Sequence, residues 1–201
     1  MKSQSSRAFL VPIVLILTAV AFRYLKLAGF VHLPWLENFS PWMALAFTGT
    51  LVFPKRVSFL LIPVLLFVIG IAATGLSAVL HWEAVAVYGC FGLVAWLAAR
   101  LRGRIGLVGT LLGVIGCGIG FYLVTNTVSW LVEPAYTKNL AGWVQALTTG
   151  IGLPGMQPTT WFLRQSLLSD LTFSCLLLAA YNTEAAIRRQ PAIPVLRPAA
   201  A

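Results

Sequence analysis

Long apolar runs separated by short polar breaks organise this chain. The first, "AFLVPIVLILTAVAF", is followed by similar runs as far as residue 181. Strict alternation, the mark of a half-buried strand, is missing, and the runs are too uniformly apolar for surface helices. Apolar runs of about 18 or more residues read as transmembrane helices. Six spans are predicted, over residues 8–26, 41–53, 57–76, 88–100, 105–132 and 161–181. The second opens on Ser40-Pro41, an N-cap followed by proline at the first helical position. It ends at Phe53-Pro54 after about 13 residues, too few for a full crossing at ~1.5 Å each. Such a helix must tilt little, thin the bilayer or lie buried between neighbours.

The breaks are rich in turn formers and aromatics. They are "LAGFVHLPWLENFS" (27–40), a stretch around "HWEAVAVYGCFG" (81–92), and roughly 28 residues from Glu133 to Thr160 carrying the helix-breaking "GIGLPGMQP". On the fifth run, Gly109 and Gly113 are four residues apart, as are Gly116 and Gly120; Ala95 and Ala99 repeat the spacing on the fourth. Small residues at that spacing let helix backbones approach closely. Tight internal packing is one reading of the Gly109/Gly113 face, and a docking surface for another membrane subunit is the other. The sequence thus predicts an all-α, polytopic domain over residues 1–182, followed by a Pro-rich, disordered tail over 183–201.

Composition reinforces this pattern. Of 201 residues, 59% are hydrophobic and 9% charged, where a soluble domain carries about a quarter charged. The N-terminal run resembles a signal peptide, but it continues to Leu25, which favours a retained first helix. The net charge of +9 does not imply nucleic acid, because the cations cluster beside apolar runs and no nucleic-acid motif accompanies them. They read as topology signals. With six spans and the N-terminus inside, Lys2, Arg7, Lys55, Arg56, Arg100, Arg102, Arg104, Arg188, Arg189 and Arg197 face the cytoplasm. Only Lys26 and Lys138 lie in outer loops, while Arg23 and Arg164 sit at span ends, where they can snorkel or pair. Both termini are therefore expected in the cytoplasm, with the protein in the inner membrane. The same topology exposes three outer loops, 27–39, 76–88 and 133–160, which hold His32, His81, Glu37, Glu83 and Glu133.

The candidate chemistry gathers on that outward face. Cys90, at the predicted start of the fourth span, is either a small hydrophobe or a soft thiolate ligand. His81 is either a ligand or an interfacial histidine beside Trp82, and Glu83 a solvated acid. Cys117 and Cys175 lie in spans and are assigned to packing. Asp170 and Asn126 fall mid-span, where polar groups pair or face a cavity; hydrogen bonds across helices are expected of them. Phe30, Trp35, Phe39, Trp82, Tyr88, Tyr136 and Trp143 form an interfacial aromatic belt or line a pocket for a flat, amphipathic ligand. No zinc spacing, Walker A, GxSxG or HExxH occurs, so an ATPase, serine hydrolase or metalloprotease is not expected.

Four segments carry a resemblance: "NFSPWMALAFTGTLVFP", "VYGCFGLVAWLAAR", "GFYLVTNTVSWLVEPAYTKNLAGWVQAL" and "LRQSLLSDLTFSCLLLAAY". In this order, over residues 8–182, they resemble the substrate-binding S-components of energy-coupling-factor vitamin transporters, and most of all the solitary cobalamin transporters of the BtuM family. The resemblance implies a six-helix S-component-like bundle whose substrate is cobalamin, bound among the outward loops and taken up across the membrane. Where relatives carry Ser in "VYxSF", this chain has Cys90. The resemblance makes that sulfur the axial ligand of the cobalt. From the outward stretches themselves, His32, Asn38, His81, Trp82, Tyr88 and Tyr136 are further candidate pocket residues. The first helix, "ILTAVAFRY", lacks the AxxxA of S-components that dock on a coupling module, so no dedicated module is expected. The protein is then a transporter and not an enzyme, with loss of cyanide from cyanocobalamin as a side activity. The alternatives are a binder of another vitamin or precursor, and a membrane scaffold subunit.

Overall fold

A computed structural model describes residues 10–30, 41–53, 59–77, 79–153, 155–187, 189 and 191–196. Among these the fold is all-helical, with no strand. The helices are α1 (Leu10–Leu27), α2 (Trp42–Val52), α3 (Ile62–Thr74), α4 (Trp82–Leu101), α5 (Leu107–Val132), α6 (Leu140–Leu147) and α7 (Thr159–Ile187). By length and composition, α4, α5 and α7 suffice to cross a membrane; α2 and α3 are apolar but shorter.

The centre of the bundle is α2. Every residue from Trp42 to Gly49 is buried, and Phe47, Leu45 and Thr48 lie among the largest side chains with almost no exposed surface. Its short length is thus explained by burial between neighbours. The middle of the helix, Leu45–Gly49, widens into a π-helical turn that packs against α4, α5 and α7. Phe47 fits because Gly113 of α5 has no side chain: a Cβ there would lie 2.7 Å from the ring's Cε1. The Gly109/Gly113 face is therefore occupied from within the chain, Gly109 lying against Ile105. Ala95 and Ala98 are buried on α4, whereas Ala99 is exposed. Across the core, the Thr48 hydroxyl donates to Ser174 of α7 at 2.8 Å.

Three predicted boundaries need correction. The first is the outer loop over 76–88. Gly75 ends α3 with φ 88°, a left-handed conformation suited to glycine. α4 then begins at Trp82, six residues before the predicted 88, with His81 as N-cap. "HWEAVAVYGCFG" is thus the first half of a helix, and Cys90 lies inside α4 instead of at a span boundary. Gly89, within this stretch, sits in open space and is tolerated in the helix.

The second correction concerns 133–160, which contains α6, capped by the Asn139 carboxamide accepting from Gly142 N–H at 2.9 Å. α6 folds back on α5: Trp143 Nε1 donates to Thr127 at 3.0 Å, and the Tyr122 hydroxyl donates to the Leu147 carbonyl. The third is the C-terminal boundary. α7 continues past residue 182 to Ile187, and Pro194 and Val195 are held against the start of α5. Leu107 N–H donates to the Pro194 carbonyl at 2.9 Å, and Asn182 accepts from Ile193 N–H at 3.0 Å.

Candidate functional site: a cavity at one end of the bundle

α1, α3 and α5 finish at the end of the bundle where α2, α4 and α7 begin. There the helices diverge around a cavity of about 510 Å³. α1 contributes Arg23 and Leu27; α2 contributes Trp42 and Met43; α3 contributes Leu66, Gly70 and Thr74. The first turns of α4 supply Ala84, Val87, Tyr88 and Phe91, positions spaced by three and four so that they share one helix face. α5 adds Gly118, Phe121 and Thr125, and α7 adds Ser166 and Asp170. His81, Val79 and Glu83 complete the rim. The volume is that of a pocket for a small organic molecule, and apolar and aromatic walls with a few polar groups are typical of such sites.

The acids of this wall are already engaged. Glu83 accepts from the Ser129 hydroxyl of α5 at 2.5 Å. His81 Nδ1 lies 3.6 Å from the same carboxylate and 3.3 Å from the Ala84 N–H. One nitrogen cannot accept from Ala84 and also donate to Glu83. The capping contact is the hydrogen bond, since 3.6 Å is beyond that range. Asp170, 4% exposed, sits beside the Ala44 backbone N–H at the start of α2, a polar contact across helices. Asn126 differs: its amide donates to the Tyr122 carbonyl of its own helix at 2.8 Å.

Arg23 stands apart. It is partly buried, lines the cavity, and has no ion-pair partner among the described residues; its titratable neighbour is the Tyr88 phenol. Trp42 is 2% exposed, and its indole N–H is the only fully buried side-chain polar group without a partner among the described residues.

The sequence-derived candidates divide accordingly. His81 and Tyr88 line the cavity. Trp82 is 73% exposed and does not line it. Tyr136 is buried in the α5–α6 connection, outside the cavity wall; burial pushes its phenol pKa up, and Glu133 and Glu83 push the same way. Cys90 is a half-buried free thiol on α4, and it is not among the lining residues. Val87 and Phe91 turn towards the cavity, and Cys90, next to Phe91, falls about 100° round the helix from it. His32 and Asn38 lie outside the described residues. Among the described residues no cluster of three metal-ligating side chains occurs.

Sequence reasoning passed over Arg23, Trp42, Thr125 and Ser166 as site residues. For Arg23 the signal is a cation within an apolar run, which the sequence reads equally well as a span end.

A family model matches residues 3–193, nearly the whole chain. The chain belongs to DUF6580, a family of unknown function. No curated protein and no solved structure matches it. Family membership therefore brings no substrate, and any reading of the cavity rests on its own chemistry.

Proposed function

We propose that this protein is a multi-pass inner-membrane carrier that binds a small amphipathic solute in the cavity between α1, α2, α3, α4, α5 and α7. These six helices are its crossing elements, α6 lies on the outer surface, and both termini face the cytoplasm. The observation that carries the reading is the cavity itself. A space of about 510 Å³, walled by aromatics and holding an arginine and a buried acid, lies at one end of a bundle with membrane-length helices. Ionisable groups are expensive within a membrane and mark solute pathways there. With the N-terminus inside, the cavity opens at the outward end, as S-component-type uptake requires.

The test is native mass spectrometry of protein extracted from its own membranes, beside Val87→Trp, which fills the cavity. A small molecule retained by the unaltered protein and absent from the variant supports the reading. Equal retention by both, or none by either, sinks it.

Cobalamin is the second reading. Besides the resemblance, it is favoured by Cys90, a half-buried free thiol on the helix that supplies His81, Val87, Tyr88 and Phe91 to the wall. A corrin with its side arms is larger than the drug-sized ligands such volumes hold. This reading therefore requires the cavity to widen along α4 until the sulfur joins it. Cobalamin added to the purified protein should then change its visible spectrum through thiolate ligation. An identical spectrum and affinity in Cys90→Ala would exclude that ligation.

A further inference from the structure

Building on the solute-carrier reading, we infer that the cavity selects organic monoanions, an apolar body bearing one carboxylate, with Arg23 as the anion-binding residue. The argument is one of charge accounting. Three ionisable side chains besides His81 and Tyr88 reach the wall: Arg23, Glu83 and Asp170. Glu83 is held by Ser129 and faces His81. Asp170 sits beside the Ala44 N–H, and neither acid pairs with Arg23. Both acids are thus engaged by the protein, while among the described residues the one guanidinium is not.

Even a partly buried cation without a counter-charge is costly, and in a membrane helix it persists where a cavity or ligand compensates it. Arg23 lies on α1 one turn from Leu27, and the other walls carry Leu66, Val87, Phe91 and Phe121. A ligand placed there puts its charge on the guanidinium and its body against aromatic and aliphatic surface. The planar fork of arginine matches a carboxylate, which it binds through two parallel N–H donors. The described wall has no second arginine or lysine, so a dianion would leave one charge unmet. A neutral ligand would leave the guanidinium as it is.

The test compares 1-naphthoate with 1-naphthamide, the same apolar body with and without the charge. Binding is measured by calorimetry on protein in lipid nanodiscs, with empty nanodiscs to subtract partition into lipid. The carboxylate should bind saturably and at least about tenfold tighter than the amide, as a charge-assisted hydrogen bond predicts. Arg23→Gln should abolish that preference, and Arg23→Lys, which keeps the charge without the fork, should retain part of it. The melting temperatures of both variants identify a folding defect, and the lysine variant carries the test if the glutamine variant fails to fold. Equal binding of amide and carboxylate, or a preference unchanged by either substitution, overturns the anion inference while leaving the solute cavity standing. Saturable binding of neither probe overturns the inference as well, and retention of a native solute that Val87→Trp loses still decides the carrier reading separately.

Discussion

Gly113 and Gly116 lie one turn apart on α5 and look alike in sequence, yet they have opposite environments. A Cβ on Gly113 would press into the ring of Phe47, whereas one on Gly116 would meet nothing within 4 Å. Phe47 is fully buried in α2 and cannot move aside without disturbing the core. Overpacking of this kind costs about 1–3 kcal/mol. Gly113→Ala should therefore lower the apparent melting temperature clearly, while Gly116→Ala should leave it unchanged or raise it slightly, since alanine is the better helix former. Phe47→Leu introduced together with Gly113→Ala should cost less than the sum of the two single changes, because the residues touch. Equal effects of the two glycine substitutions would show that the Phe47 seat does not govern packing. The small-residue spacing was legible in the sequence. Which of the two pairs faces inward was not, because that depends on a side chain more than 60 residues away.

α2 poses the main problem at the scale of elements. Eleven residues reach only about 16 Å, roughly half the apolar thickness of a bilayer. Both ends of the helix therefore leave backbone groups unsatisfied in a place poor in water. Side chains from two other helices resolve this. Asp170 of α7 sits beside the Ala44 N–H at the start of α2, and Arg102, at the end of α4, donates from Nε to the Leu51 carbonyl at 3.2 Å. An acid at the N-terminus and a base at the C-terminus also suit the helix dipole. Asp170→Ala leaves a buried N–H without an acceptor, which costs about 1–3 kcal/mol. Asp170→Asn keeps an acceptor and should cost less. Arg102→Met should destabilise too. As the two sites are at opposite ends of α2, the losses should add, as they do for distant, independent sites. Thermal unfolding of the single and double variants checks both statements, and an Asn variant as damaged as the Ala variant would refute the capping role. In the sequence, Asp170 was recognisable as a mid-span acid in need of a partner, and Arg102 as an inward cation. Their joint service to α2 required the fold. The start of α4 was hidden for a similar reason: a run containing His81, Glu83, Gly89 and Cys90 reads as a break until His81 is seen capping the helix and Gly89 is seen in open space.

For the whole molecule, the sequence was most informative about the apolar runs and least about the cavity. The runs announce themselves by length, since a bilayer demands a fixed number of apolar residues. The cavity arises where six elements diverge, and its lining comes from positions between residue 23 and residue 170, so no local pattern encodes it. Cys90 is chemically the most distinctive residue near the site, whereas Arg23 gains its place in the wall only through the fold. The charge bias allows a test of the molecule's orientation. Leu76, Arg104 and Thr149 are exposed, and lie between α3 and α4, between α4 and α5, and after α6. Single cysteines at these positions, with Cys90, Cys117 and Cys175 changed to Ser, report which side each connection faces. If α4 and α5 each cross once and the N-terminus is cytoplasmic, a membrane-impermeant maleimide should label Leu76→Cys and Thr149→Cys in intact cells. Arg104→Cys should react only after lysis. The reverse pattern would invert the protein and turn the cavity towards the cytoplasm, which suits export or a sensor better than uptake. Labelling of all three from one side would remove α4 and α5 as crossings. The bundle would then rest on the membrane, and the argument that Arg23 lies uncompensated in a low-dielectric wall would lose its basis.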